Sequence, residues 1–314
     1  MARRTDNTSL RTARKTKNDE FYTQYADIEN EMKHYIKHFE NKIVYCNCDD
    51  YRWSNFFKYF ADNFVGLKLK KLICTCYNES GKGLICTIDN KQITEGELKG
   101  NGDFRSAECV ELLKSADIVV TNPPFSLFRE YVAQIVENGK DYLILGNMNA
   151  VAYKEIYPLF RDNKMWMGHK GMGGKALVFK CPEENYVEGS LISYRNDEGC
   201  FVGVMGICWF TNLEHNKRTQ ALELKREYVA EDYSKYDNYD AIEIARVKEI
   251  PKDYHGVMGV PISFLDVYCP TQFEIVGIMS GAKGQDFTLG TDNKKFRFKG
   301  KEVYARLLIS AVQR

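Results

Sequence analysis

Residues 117–146 read DIVVTNPPFSLFREYVAQIVENGKDYLILG. Residues 117–121 form a short, β-branched run that predicts a buried strand. Residues 127–138 return apolar side chains at helical spacing, and residues 142–146 are a second apolar run of strand length. Strand, helix and strand in that order make a parallel pair joined by a crossover. The same alternation extends outward. Residues 43–48 read as a buried strand, 53–64 as an aromatic-rich helix, 71–77 and 83–88 as strands, and 106–114 as a helix. Downstream, residues 153–161 read as a further helix. The chain therefore predicts an α/β fold, a parallel sheet with helices on both faces, whose ligands bind beyond the carboxyl ends of the strands.

The loop after residues 117–121 carries the chemistry. It reads Asn122-Pro123-Pro124-Phe125. Two prolines fix φ and remove two amide donors, which leaves a rigid loop rich in acceptors. An Asn side-chain oxygen and the Pro123 carbonyl can together accept both hydrogens of an exocyclic amine. Phe125 can stack on a planar ring. The combination fits a planar aromatic amine delivered to a strand end.

Composition excludes several classes. Of 314 residues, 44% are apolar and 28% charged, which describes a globular chain with a sizeable core. No run approaches the ~18 apolar residues of a membrane helix, and Arg3 and Arg4 precede no apolar stretch that a secretory signal needs. A cytoplasmic location is expected. The ten cysteines sit in strand-like apolar runs, as reduced thiols do. Cys46-x-Cys48 and Cys74-x-Cys76 are spaced too closely for the usual zinc knuckle, so core packing is expected and no metal. Net charge is only +1, but it is unevenly spread. Arg3, Arg4, Arg11, Arg14, Lys15 and Lys17 face a single acid, Asp6, in residues 1–17, which predicts a disordered basic arm able to contact phosphates. Lys294, Lys295, Arg297 and Lys299 alternate with Phe296 and Phe298, as in an edge strand with one charged face.

Several ordered blocks resemble the EcoRI-type adenine-specific DNA methyltransferases, from about Asn18 to the C-terminus. They include Asn18-Asp19-Glu20-Phe21-Tyr22-Thr23-Gln24-Tyr25, Tyr45-Cys46-Asn47-Cys48-Asp49-Asp50, Gly102-Asp103-Phe104-Arg105-Ser106 and Thr121-Asn122-Pro123-Pro124-Phe125-Ser126. Gly206-Ile207-Cys208-Trp209-Phe210-Thr211-Asn212-Leu213 and Met258-Gly259-Val260-Pro261-Ile262-Ser263-Phe264-Leu265 continue the resemblance. It implies a Rossmann-like S-adenosylmethionine-dependent methyltransferase sheet over residues 18–213 and a target-recognition region over 214–314. The reaction implied is methyl transfer from S-adenosyl-L-methionine to N6 of an adenine flipped out of duplex DNA, leaving S-adenosyl-L-homocysteine.

The resemblance also implies roles. Asn122, Pro123, Pro124 and Phe125 form the catalytic loop. Tyr22 and Thr23 clamp the methionine end of the cofactor, and Asn47, Cys48, Asp49 and Asp50 line its methionyl and ribose groups. The family usually places proline where Gln24 stands and glycines in the loop holding Asn47 to Asp50. Either Asp49 or Asp50 binds the ammonium, unless Asp50 caps the next helix. Asp103 bonds the cofactor's adenine amine and Phe104 packs on its ring. The ribose acid is Glu79 or is missing. Trp209 or Phe210 offers a second stacking surface or forms part of the core. Lys217 and Arg218 open the recognition region as DNA contacts, and the glycines of residues 168–174 suggest a mobile loop. A monomer is expected, with a cognate restriction endonuclease as a functional counterpart only. Rival readings are a methyltransferase acting on RNA bases or protein glutamine amides, and a DNA-binding relative that has lost catalysis.

Overall fold

A computed structural model describes residues 22–79, 81–172, 176–181, 183, 186, 193–197, 199–279, 297–302 and 305–312. Arg3, Arg4, Arg11, Arg14, Lys15, Lys17, Lys294, Lys295 and Phe296 lie outside these. The chain divides into two compact units, Met1–Met148 with Gly174–Leu213, and Asn149–Gly173 with Glu214–Arg314.

In the first unit the apolar runs become β2 (Ile43–Asn47), β3 (Lys71–Cys76), β6 (Ile118–Thr121) and β7 (Asp141–Asn147), with β1 at Tyr22–Thr23. Leu84–Asp89 is β4 and Gln92–Glu97 is β5. Later come β8 (Leu177–Cys181), β9 (Tyr194–Asn196), β10 (Gly199–Val204) and β11 (Ile207–Thr211). The main sheet runs β5-β4-β3-β2-β6-β7-β11. Its centre is parallel: Asn47 lies opposite Thr75, Tyr45 opposite Val119, and Thr121 opposite Ile144. Toward both flanks it is antiparallel, β4 on β3, β5 on β4 and β11 on β7. The expectation of a parallel sheet is corrected there. The link from Cys76 to Leu84 is shorter than the roughly dozen residues that a parallel crossover needs.

Helices α1 (Tyr25–Met32), α2 (Asn55–Asp62), α3 (Ala107–Ser115) and α4 (Phe128–Glu137) complete this unit. Every position of β6 is buried, as expected of a strand covered on both faces. Val44, Val120, Leu143, Leu145 and Trp209 share one core cluster. Trp209 meets Phe56 edge-on at 5.8 Å and Phe210 meets Phe128 at 5.3 Å, both fully buried, so neither offers a stacking face to a ligand. Cys46, Cys74 and Cys86 sit opposite one another across β2, β3 and β4 as buried free thiols. Helix α2 starts later than the sequence predicts because Ser54 is its N-cap, its Oγ accepting from the amides of Phe56 and Phe57. Trp53 therefore stays outside the helix. A second, antiparallel sheet runs β1-β8-β10-β9 and sets Thr23 opposite Phe179.

The second unit holds a sheet of β12 (Lys235–Tyr236), β13 (Tyr239–Glu243), β14 (Met258–Pro261), β15 (Phe273–Met279) and β16 (Arg306–Ala311) in the order β12-β13-β14-β16-β15. The helix expected over 153–161 shortens to α5 (Tyr157–Arg161), since Pro158, lacking an amide hydrogen, sits in its first turn. Residues 149–173 group with this unit through specific contacts. Arg218 stacks on Trp166 at 3.7 Å and bonds Asn163, whose Oδ1 also accepts from Tyr268. His215 Nε2 pairs with the Met167 carbonyl at 2.9 Å. The glycine-rich turn is held rather than loose over its described part: the Asp266 carboxylate accepts from the Met172 amide at 2.7 Å. The expected charged strand near residue 297 is instead a tight hairpin, Arg297–Phe298 against Lys301–Glu302, with Lys299 and Gly300 both left-handed. The Asp237 carboxylate accepts from both turn amides, which a continuing strand would aim elsewhere.

Candidate active site

The parallel centre of the first unit brings the carboxyl ends of β2, β3 and β6 together, and a cleft of about 860 Å³ opens there. Its walls are loops. Cys48, Asp49 and Asp50 follow β2, Tyr77 and Glu79 follow β3, Asp103 and Phe104 precede α3, and Asn122 and Pro124 follow β6. Thr23 reaches the same cleft from the small sheet. Its Oγ1 is buried with no hydrogen-bond partner, while its carbonyl accepts from Asn55 Nδ2 at 2.7 Å.

The loop after β2 lacks the glycines that allow close backbone approach, yet Cys48 adopts φ 67°, the left-handed region glycine favours. The chain thus makes the turn with a side chain in place. Burial, reinforced by Asp49, pushes the Cys48 thiol well up, so it is neutral. Asp49 and Asp50 diverge from there. Asp49 is 8% exposed; its Oδ1 accepts from Ser54 Oγ at 2.7 Å and its Oδ2 is in hydrogen-bond contact with the Thr121 hydroxyl. Burial is the largest influence on it and raises it to about 7. Asp50 is half-buried, and its oxygens accept from Arg52 Nε at 2.9 and 3.1 Å and from the Arg52 amide at 3.0 Å. Burial would raise its carboxyl, but Arg52 outweighs it and holds Asp50 below the ordinary carboxylate value. Asp50 does not cap α2; Ser54 does.

Asp103 repeats the Asp50 arrangement. Arg105 bonds it through Nε at 2.9 Å, a terminal nitrogen at 2.7 Å and its backbone amide at 2.9 Å, which lowers its carboxyl against the effect of burial. Phe104 is buried, backed by Tyr131 at 5.1 Å and by the Arg105 guanidinium at 5.3 Å. The repeated acid–aromatic–arginine pattern, Asp50-Tyr51-Arg52 and Asp103-Phe104-Arg105, is visible in the sequence and marks both sides of the cleft. The arginines are cleft residues that motif reading misses, together with the exposed rings of Trp53 and Tyr77 on the rim.

Three expected residues do not line the cleft. Asn47 is buried and its Oδ1 accepts from the Tyr131 hydroxyl, so its side chain turns into the fold. Pro123 is buried. Phe125, expected to stack on a substrate ring, packs half-buried against the core cluster within the turn Phe125–Leu127. The backbone of Tyr22 pairs with Lys180 in the small sheet. The Pro124 carbonyl is taken by the Leu127 amide at 3.0 Å. Among the described residues, no His, Cys, Asp and Glu side chains gather in a group able to hold a metal ion.

In the second unit, Arg218 is corrected from a DNA contact to a packing residue. It is buried, stacked on Trp166 and bonded to Glu214 at 3.2 Å. A guanidinium so enclosed has no face left for phosphate. Lys217 is half-buried and donates to the His169 carbonyl at 2.6 Å. Arg218→Ala is expected to cost about 2 kcal/mol of stability through the lost stack and ion pair. The salt slope of DNA binding stays unchanged, since no phosphate contact is lost. Urea unfolding and a salt titration of DNA affinity check the two parts.

The family model for the adenine-specific methyltransferase EcoRI matches residues 9–311. The chain belongs to that family. It is a DNA adenine methyltransferase. The Type II methyltransferase M.EcoRI of Escherichia coli is 44% identical over 98% of this chain and 98% of its own. M.MpnI of Mycoplasma pneumoniae is 40% identical over 96% and 97%, and M.MgeORF184P of Mycoplasma genitalium 38% over 96% and 98%. Both are also named Type II methyltransferases. No solved structure matches the chain. Among the described residues, no helix is long and apolar enough to cross a membrane.

Proposed function

We propose that the cleft binds S-adenosyl-L-methionine and presents it to the N6 amine of an adenine turned out of duplex DNA, on a Rossmann-like sheet. The observation that carries this reading is the convergence of Asn122, Asp50, Asp103 and Thr23 on one cleft at the carboxyl ends of parallel strands. The residues present fit the cofactor. Thr23 Oγ1 is a buried hydroxyl still lacking a partner, and the cleft volume of about 860 Å³ lies within the range of small-molecule sites. Asp50, held ionised by Arg52, suits the ammonium group, and Asp103 suits the adenine amine. Glu79 is the carboxylate at the end of β3 that is open to the ribose hydroxyls.

When bound, the cofactor supplies a methyl group activated by its sulfonium. The chain then has to position a poor nucleophile, because the amine lone pair of adenine is delocalised into the ring. Asn122 and the Pro123 carbonyl accept the two amine hydrogens and favour tetrahedral geometry at N6. Fixed dipoles and orientation do the work. A paired base cannot reach such a loop, so the adenine leaves the stack. With Phe125 packed inward, the exposed ring of Trp53 is the nearer candidate for stacking on the extruded base.

The second unit reads as the target-recognition part, and residues 1–17 as a phosphate-contacting arm. The enzyme acts as a cytoplasmic monomer in a restriction-modification pair whose endonuclease is a separate protein. Incubation of unmethylated DNA with labelled cofactor tests this. The expected product is N6-methyladenine at one short sequence; label on RNA or protein instead of DNA overturns it.

A further inference from the structure

We propose that Asp49 is a positioning residue for methyl transfer, holding the Asn122 loop to the end of β2 through the hydroxyl of Thr121, and that it does so as the neutral acid. This rests on Asn122 being in the catalytic loop.

The geometry is a chain of hydrogen bonds that crosses the floor of the cleft. Thr121 is the last residue of β6, directly before Asn122. Its Oγ1 lies within hydrogen-bond reach of two oxygens, the Asn47 carbonyl at the end of β2 and Asp49 Oδ2. A threonine hydroxyl has one proton, and a carbonyl has none to offer. Both contacts are hydrogen bonds only if Asp49 carries the second proton: Asp49 donates to Thr121, and Thr121 donates to Asn47. With Asp49 ionised, one pair of oxygens faces each other without a proton, and the buried acceptors repel. The other end of Asp49 accepts from Ser54 Oγ, which itself caps α2. The relay thus joins the N-terminus of α2, on the cofactor side, to the loop that holds the amine. Its backbone is also anchored, the Asp49 amide to the Thr75 carbonyl at 3.0 Å and its carbonyl to Cys74 Sγ at 3.1 Å.

The surroundings favour the neutral form. Asp50, on the same loop, brings a second negative charge. The other titratable groups facing Asp49 are Cys46 and Cys48 on its own segment, Cys74 on β3 and Tyr131 on α4. Burial raises all four, so none carries charge near neutral pH. With burial the largest influence, the carboxyl rises to about 7. The acid is therefore protonated below that pH and ionises above it, which loosens the loop as pH increases.

The test is single-turnover methyl transfer onto unmethylated DNA from about pH 6 to about pH 9, with cofactor affinity measured by calorimetry on the same proteins. Asn122→Ala is the control: if it remains active, the catalytic-loop reading fails, independently of Asp49. In wild type the rate should fall as pH rises through the ionisation of Asp49. Asp49→Asn imitates the neutral acid, donating to Thr121 and accepting from Ser54, so its rate should match the low-pH wild type and lose that limb. Thr121→Val should slow transfer on the order of 10- to 100-fold with cofactor affinity unchanged, and Thr121→Ser should restore it. The proposal is overturned if Asp49→Asn keeps the wild-type pH profile, or if Thr121→Val transfers at the wild-type rate. It is equally overturned if Asp49→Asn chiefly weakens cofactor binding, since Asp49 would then be a cofactor ligand.

Discussion

Asn122→Ala is expected to slow methyl transfer on the order of 100- to 1000-fold while leaving cofactor affinity where it is. The size follows from what the side chain does. Adenine N6 becomes nucleophilic only as its lone pair leaves conjugation, and two acceptors fixed in space drive that change. In the proposed mechanism Pro123 supplies one through its carbonyl, which no side-chain substitution removes. Asn122 supplies the other, and alanine leaves the amine with a single acceptor and an incoming water. The interaction strengthens as N6 pyramidalises, so its loss falls on kcat rather than on ground-state binding. Asn122→Asp keeps an acceptor oxygen and should retain more activity than alanine. The cofactor should still bind, because Thr23, Asp50 and Asp103 sit on other loops of the cleft. Rapid-quench measurement of the first turnover, beside calorimetric titration of cofactor, separates the two quantities. A parallel loss of affinity would show that Asn122 serves the cofactor and not the amine.

The centre of the first unit is legible in the sequence because its strands are buried on both faces and so read as continuous apolar runs. β5 is not, since every position from Gln92 to Glu97 is exposed and its composition is that of a loop. The hairpin turn before it uses Asn90 and Lys91 in left-handed conformations, without the glycine that usually announces such a turn. The catalytic loop is legible from composition, but not which of its rings faces the ligand. Phe125 turns inward because the turn Phe125–Leu127 folds it onto the core, a tertiary preference that four letters do not encode. The adjacent acids illustrate the same limit. Asp49 and Asp50 are chemically identical in sequence; only Ser54 and Thr121 on one side and Arg52 on the other give them different surroundings, with burial raising the Asp49 carboxyl and Arg52 holding that of Asp50 down. Arg218 was legible as a charge and not as a buried one, because its partner Trp166 lies far away along the chain.

Gly102→Ala is expected to destabilise the first unit by about 2–4 kcal/mol and to weaken cofactor binding along with it. Gly102 stands at φ 80°, where a side chain by itself costs about 1–2 kcal/mol. Space is the larger problem. A Cβ at this position would lie 2.2 Å from the Cys76 carbonyl oxygen and 3.2 Å from the Cα of Gly83. Neither is the end of a flexible side chain that can swing aside. Relief requires either the end of β3 or the segment leading into α3 to move, and both line the cleft. Gly83 is in the same position from the other side, with a Cβ there 2.7 Å from the Cys76 oxygen and from Gly102. The two glycines thus let three backbone segments meet where β3 ends, and that meeting fixes where Asp103 and Phe104 stand. Displacement of Asp103 should reduce affinity for the adenine end of the cofactor, whereas the side chains of the relay from Asp49 to Thr121 belong to other segments and should be disturbed less. Cofactor affinity should therefore fall more than the rate of transfer at saturating cofactor, the reverse of the pattern for Asn122→Ala. Urea unfolding and cofactor titration of the same preparation measure both effects, and a Gly102→Ala protein as stable as wild type would mean that the three segments are not packed as closely as the fold requires.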